Sequence, residues 1–272
     1  MIRLVDVACR ARASAPVDQE QATITEVILP LRGCFEVHRG GRDTAVADAA
    51  SVVVFHAGQE YRVGHPTSDG DDCFVLAVPP DVAEDAIGAA AGGLVGTDVR
   101  LRAHRLRAAL RGGTLDALEA EESALELLRS IGRDSLREVA ADRRTAVGRA
   151  DAERVRTLLA SRPGARWRLE AIAREVYLSP AHLARRFRAG TGESISRYLL
   201  RLRLGLALDR LADGDRDLAA LADELGFASH SHFTARFRST FGVTPSALRD
   251  SLATRSLEEL RTFVTAPHRA AS

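Results

Sequence analysis

The chain has 272 residues, 46% of them hydrophobic and 28% charged, with 38 basic against 37 acidic side chains and a net charge of +1. That length allows one or two domains and a sizeable core. The longest small-apolar stretch, Ala86 to Val95, is Gly-rich and too short to span a bilayer. Cys9, Cys34 and Cys73 show no CxxC spacing and leave one unpaired, which points to a reduced, cytoplasmic protein rather than a disulfide scaffold. The N-terminus has no basic start followed by an apolar run and a cleavage site.

Charge is not evenly spread. Residues 1–150 carry 18 Arg against 23 acids, whereas residues 151–250 carry 17 Arg against 12 acids. Every positive side chain is Arg; there is no Lys. The excess of Arg in the second segment is what phosphate binding requires, although many solvated domains carry a similar charge.

Taken in order, residues 20–80 read as β. Ile24 to Leu31 is β-branched and partly alternating, and Cys34 to His38 runs into Gly40-Gly41, a hairpin signal. Ser51 to His56 ends at Ala57-Gly58; Gln59 to His65 and Cys73 to Val78 follow, the last closed by Pro79-Pro80. Short strands without intervening helices predict a small barrel or sandwich, with Ile2 to Val7 available as a further strand. From Asp81 to about Ala146 the pattern turns helical: Asp81 to Ala91, ended by Gly92-Gly93; Val99 to Leu110; and Thr114 to Ile131, with Thr114 as N-cap. These helices either pair two protomers or cover one face of the barrel. The Arg-rich run at 100–111 is expected to pair with the acidic run at 119–126. Arg143 to Asp151 reads as a linker with Gly148 as its hinge, and after Arg249 a short tail helix, Leu257 to Val264, is expected.

Residues 169–249 are one design written twice. An offset of 50 pairs Ser179 with Ser229, Leu183 with Phe233, Phe187 with Phe237, Arg188 with Arg238 and Gly192 with Gly242. Upstream the offset is 49, pairing Ala173 with Ala222 and Val176 with Leu225, so the second copy has one extra turn residue. Each copy holds a short helix (Leu169, Ile172, Ala173 and Val176 inward in the first), a break, and a second helix begun by a Ser N-cap. On that second helix Leu183 and Phe187 share one face and Arg185 and Arg188 the other, a helix-turn-helix pattern. Gly226 occupies the second turn, where positive φ is expected; Tyr177 occupies the first, which must be looser or strained. Ser194 to Ala212 reads as a joining helix of about 28 Å, suited to two helices in successive major grooves about 34 Å apart.

This region, through Leu178-Ser179, Leu183, Phe187-Arg188, Gly192 and then Gly226 to Ser246 with Arg249, resembles the AraC/XylS-type DNA-binding domain. The resemblance covers roughly residues 150–250. It implies a transcription regulator of double-stranded DNA, activating in response to a small-molecule effector, with RNA polymerase as partner and a homodimer as assembly. With that resemblance in hand, the β region looks like a cupin-type sensor. The expected fold is therefore α+β: a small N-terminal cupin-like β-barrel with helices over 1–145, an all-α domain of two helix-turn-helix motifs joined by a long helix over 146–250, and a tail over 251–272.

The candidate base-reading residues are Ala181, His182, Ala184 and Arg185 on the first reading helix, with Arg185 set for guanine, and His230, Ser231, Thr234 and Ala235 on the second. Ala235 stands where relatives often carry Arg. Arg186, Arg188, Arg236 and Arg238 are candidates for phosphate contacts. His56, Tyr61 and His65 are candidates for an effector pocket, or else merely cap strands. No catalytic motif, cofactor fingerprint or metal-ligand set is read: the only HxH, His230-Ser231-His232, lies on the second reading helix. Cys34 and Cys73 are core thiols or, on the second reading, a redox pair. The alternative function is a cupin-type metal- or small-molecule-processing protein that the DNA-binding domain merely localises.

Overall fold

The computed structural model describes residues 1–10, 13, 19–40, 43–67, 70–140 and 146–253. The tail helix expected at 257–264 lies outside the described residues, as do residues 143–145 of the expected linker.

The β part consists of β1 (Arg3–Cys9), β2 (Glu20–Gln21), β3 (Thr25–Arg39), β4 (Asp43–Asp48), β5 (Ser51–Phe55), β6 (Glu60–Gly64), β7 (Asp71–Val78) and β8 (Gly92–Leu94). The main antiparallel path runs β1-β7-β3-β5-β8. Where two strands were expected between residues 24 and 38, there is one 15-residue strand. Its first half lies between β7 and β5, and its second half pairs with β4 and β6. The register shifts between Pro30 and Arg32, at a residue with no N–H to donate, and there β3 passes from one set of partners to the other. Its two halves serve two layers, and β1 and β8 at the ends of the path do not pair among the described residues. The α+β fold with a small N-terminal β unit is as expected, but among the described residues its sheet is open rather than closed into a barrel. The N-terminal strand was recruited as anticipated, Arg3 to Cys9 pairing in full with β7.

Alternation divides the sheet residues between two cores. Val27, Leu29, Val52, Val54 and Leu76 face one way, while Phe35, Val37, Val53, Phe55 and Val75 face the other. The first set is covered by α1 (Pro80–Ile87), α2 (Thr97–Arg111) and α3 (Ala117–Ala140), through Val99, Leu106, Leu127, Leu128 and Ile131 among others. Covering the sheet is thus what these helices do within one chain. α1 stops at Gly88, short of Ala91, and Gly92-Gly93 is not a helix stop but strand β8. β8 lies so close to β5 that a Cβ on Gly92 would sit 2.3 Å from the Val52 carbonyl oxygen. Thr114 does not cap α3, because its hydroxyl donates to the Ala109 carbonyl. Asp116 and Glu119 cap it reciprocally, each accepting from the other's backbone N–H at 2.9 and 2.8 Å.

The helical part follows: α4 (Ala146–Ser161), α5 (Leu169–Glu175), α6 (Pro180–Thr191), α7 (Ile195–Ala212), α8 (Leu218–Glu224), α9 (His230–Phe241) and α10 (Pro245–Ala253). Gly148 lies within α4 and is no hinge. Gly190 lets α6 approach α4 there, since a Cβ on Gly190 would be 2.6 Å from the Gly148 carbonyl oxygen. α7 has no polar stripe because it is buried nearly all round. Ile195, Tyr198, Leu199 and Leu202 enter a core with α4, α5 and α6; Leu204, Ala207, Leu208 and Leu211 enter another with α8, α9 and α10.

α7 also touches the β part. Gly205 sits where a Cβ would meet the Ala49 carbonyl oxygen at 2.4 Å. Beside it the fully buried Asp48 carboxylate accepts from Tyr198 Oη at 2.6 Å, Arg156 at 2.9 and 3.2 Å and the Ala50 N–H at 2.8 Å. A second set joins Asp209 of α7 and Asp213 just past its end to Arg32, Arg107 and Arg111. Asp6 on β1 holds the same Arg107 and Arg111 at 2.7 and 2.8 Å. The Arg-rich run therefore finds its partners mainly outside 119–126; only Arg102 reaches Glu126, at 3.4 Å and exposed. Arg100 turns fully inward and donates to the carbonyls of Pro30, Asp48 and Ser51 at 2.6–2.9 Å, with burial lowering its pKa to about 10.

Candidate nucleic-acid interface

Helices α6 and α9 are built alike. Ser179 caps α6 by accepting from the His182 N–H at 3.3 Å, and Ser229 caps α9 by accepting from the His232 N–H at 3.1 Å. Gly192 and Gly242 end them with φ of +82° and +77°, their N–H groups donating to the carbonyls of Arg188 and Arg238. Leu183, Phe187, Phe233 and Phe237 are fully buried. The turns before the helices differ as expected: Gly226 has φ +71°, and Tyr177, its counterpart, is the one non-Gly residue among those described with positive φ, at +58°. Tyr177 is 89% exposed, so its ring gains no packing in return. Leu169, expected inward on α5, stands 36% exposed at the helix's first position.

The outer faces carry the candidate readers. Ala181, Ala184 and Arg185 are exposed on α6 and His182 is half-buried. On α9, His230, Ser231 and Ala235 are exposed and Thr234 is half-buried, its hydroxyl 3.5 Å from His230 Nε2. His230, Ser231, Thr234, Ala235 and Arg238 line one shallow open depression of about 800 Å³ with Ser239, Gly242 and Thr244. The N-terminal turn of α9, where unpaired N–H groups favour an anion, opens onto it.

The arginines here fall into two groups. Arg185, Arg188, Arg236 and Arg238 are exposed and make no side-chain hydrogen bond or ion pair among the described residues. Arg186 does not belong with them. Its guanidinium pairs with Asp151 of α4, which is 11% exposed, so it braces α6 against α4 rather than facing outward. Arg201 and Arg203 are likewise taken up by Glu193 and by the carbonyls of Pro163, Ala165 and Gly226.

The three candidates for an effector pocket each have different partners. His56 Nε2 lies 2.9 Å from the Ala90 carbonyl oxygen. Tyr61 stacks on Phe55 with centroids 3.8 Å apart and donates to Glu20, and burial foremost raises its phenol above the usual value. His65 turns instead toward Cys9 and Asp71. That grouping was invisible to a search for paired histidines, because its members come from three strands' ends. Cys34 and Cys73 are both buried. Burial, reinforced by Asp48 and Asp71, pushes the Cys34 thiol up to about 12, and burial with Asp71 raises Cys73 well above 9, so both stay protonated and unreactive.

Comparison with known proteins bears on residues 172–251, which match the helix-turn-helix domain family. The regulatory protein PocR of Salmonella typhimurium is 36% identical over 85 residues, 31% of this chain and 28% of that protein. A putative AraC-like transcription regulator of Streptomyces antibioticus is 32% identical over 93 residues, 34% of this chain and 31% of that protein. The chain thus matches about three tenths of the length of these curated relatives. The crystal structure of ToxT from Vibrio cholerae aligns over 93% of this chain and 98% of its own at 14% identity, with a TM-score of 0.38, too loose a superposition to argue from. Residues 172–251, the two-motif segment, are therefore similar to a helix-turn-helix domain and to a stretch of AraC-like regulators.

Proposed function

We propose that the chain is a transcription regulator that reads an asymmetric double-stranded DNA site with α6 and α9 in successive major grooves. One observation carries this reading: two helices with the same Ser cap, the same left-handed Gly stop and the same buried face leave their opposite faces exposed, with four unengaged arginines. α7, 18 residues and so about 27 Å long, spaces them on the scale of one helical turn of DNA. In this reading Arg185 is the guanine reader, and Ala181, His182, Ala184, His230, Ser231, Thr234 and Ala235 meet base edges or the nearby backbone. Arg188, Arg236 and Arg238 grip phosphates. Residues 146–250 are the DNA-binding unit and residues 1–145 the regulatory one, which responds to a small molecule and does no catalysis.

The test is selection of duplexes by the full chain from a random pool at two salt concentrations. Enrichment of one asymmetric site of about two helical turns, weakened by salt, is expected. Arg185→Ala should relax one position of that site by about 1–3 kcal/mol. Salt-sensitive binding with no enriched site would refute sequence reading by the two helices.

A further inference from the structure

In the β part, where β1 ends and β7 begins, three side chains converge. Cys9 closes β1, His65 follows β6 and Asp71 opens β7, with Cys9 and Asp71 directly opposite in the β1–β7 register. Cys9 Sγ is 3.4 Å from His65 Nε2, and His65 Nε2 is 3.1 Å from Asp71 Oδ1. All three atoms lie within 4.8 Å of one another.

We propose that Cys9, His65 and Asp71 form a site for a divalent transition-metal cation of the zinc class. A relay of Cys, His and Asp would use both ring nitrogens, one for each partner. Here both partners face the same nitrogen. If Nε2 carries the proton it cannot accept from the thiol; if it does not, its lone pair faces a carboxylate. One ring nitrogen therefore meets both a thiol and a carboxylate. A cation in the middle satisfies thiolate, imidazole and carboxylate together. Metal–ligand arms of about 2.0–2.3 Å in a tetrahedron set neighbouring ligand atoms about 3.3–3.8 Å apart, close to the 3.4 and 3.1 Å that separate His65 Nε2 from Cys9 Sγ and Asp71 Oδ1.

A second observation points to the same place. Asp71 is 6% exposed, and its buried Oδ1 has His65 Nε2 at 3.1 Å and takes no hydrogen bond from any other group among the described residues. Its other oxygen accepts from Cys73 Sγ at 3.2 Å, which fixes the carboxylate's orientation from behind as outer-shell groups do at metal sites. Cys9 is only half-buried, so the cation has a path in and a water can hold the fourth position. The mix of one thiolate, one imidazole and one carboxylate suits zinc and its neighbours, not magnesium or calcium. Binding expels the Cys9 thiol proton to solvent and leaves every oxidation state unchanged.

The full chain, reduced and freed of metal by a chelator, is titrated with Co²⁺ and then Zn²⁺. One equivalent of Co²⁺ should give a thiolate-to-cobalt charge-transfer band that Zn²⁺ abolishes. Cys9→Ser, at a half-exposed strand end, should lose the band while its circular dichroism is unchanged. His65→Gln should weaken binding by about tenfold or more and Cys73→Ala by about tenfold, whereas Cys34→Ala should not matter. Absence of the band in the unsubstituted protein, or its survival in folded Cys9→Ser, overturns the proposal. Neither result bears on DNA reading, which involves none of these residues.

Discussion

Asp48 is the point at which removal of one side chain should be felt in both parts of the chain. It is fully buried, and so is Tyr198; Arg156 is 5% exposed. Asp48→Ala deletes the acceptor of Tyr198 Oη at 2.6 Å, of Arg156 at 2.9 and 3.2 Å and of the Ala50 N–H at 2.8 Å. Arg156 retains Glu153 at 3.0 Å and the Val46 carbonyl at 2.6 Å, so its charge is weakened but not abandoned. Breaking a buried ion pair on one side costs about 3–5 kcal/mol, and Asp48→Ala should fall in that range. Tyr198→Phe removes a single hydrogen bond to a charged acceptor and should cost about 1.5–3 kcal/mol. The double variant should lose less than the sum by about 0.5–3 kcal/mol, because the hydroxyl is already stranded once Asp48 is gone. Urea unfolding followed by circular dichroism and by the fluorescence of the single tryptophan, Trp167, measures all three. A loss below about 1 kcal/mol for Asp48→Ala, or strict additivity in the double variant, would refute the reasoning.

The other predictions concern the turns, a buried histidine and an arginine. Tyr177→Gly should raise stability by about 1 kcal/mol, since the left-handed conformation costs a side-chain-bearing residue about 1–2 kcal/mol. Gly226→Ala should lower it by more, because the added Cβ would also sit 2.3 Å from the Gly164 carbonyl oxygen; thermal melts compare the two. His104 is 1% exposed with neither ring nitrogen bonded, and burial, aided by Arg100, Arg107 and Arg111, drives its pKa well below 6.5. The unfolded chain takes up that proton below about pH 6.5 and the native state does not. This stability is therefore present above that pH and lost as pH falls, at up to about 1.4 kcal/mol per unit. His104→Leu should flatten the decline in urea midpoints between about pH 6.5 and 5.5, and an unchanged decline would rule out His104 as its source. Arg188→Ala should reduce the salt slope of DNA binding by about 1, whereas Arg186→Ala should leave the slope alone and lower the melting temperature instead.

What could be read from the sequence, and what could not, follows the range of the interactions. Helices α6 and α9 were legible because everything that shapes them is local: the Ser caps, the Gly stops and large apolar residues four apart recur at a fixed offset. Even the strain at Tyr177 was legible, as a missing glycine against its own second copy. The open sheet was not, because β3 is continuous through Pro30 and changes partners there, and no local signal tells a bent strand from two short ones. Arg186 was misplaced for a similar reason. Its partner Asp151 lies 35 residues back on α4, and helical periodicity alone puts Arg186 on the flank of the outer face. The Cys9, His65 and Asp71 grouping spans 56 residues between its thiol and its imidazole, beyond any spacing motif.

The same distinction explains what charge counting conceals. The Arg excess of residues 151–250 suggests a uniformly basic surface, yet much of that charge is spent inside the molecule. Arg156 serves Asp48; Arg201 serves Glu193; Arg210 serves Asp215 and Glu224. The acids at the C-terminal end of α7 are claimed in turn by arginines of the β part and α2. Asp209 and Asp213 meet Arg32, Arg107 and Arg111, and the last two are held from the other side by Asp6. Because one half of α7 completes the core of α6 and the other half completes the core of α9, this helix sets the distance and angle between the two reading faces. If α6 and α9 enter DNA together as proposed, residues 1–145 grip the helix whose position decides whether both fit at once.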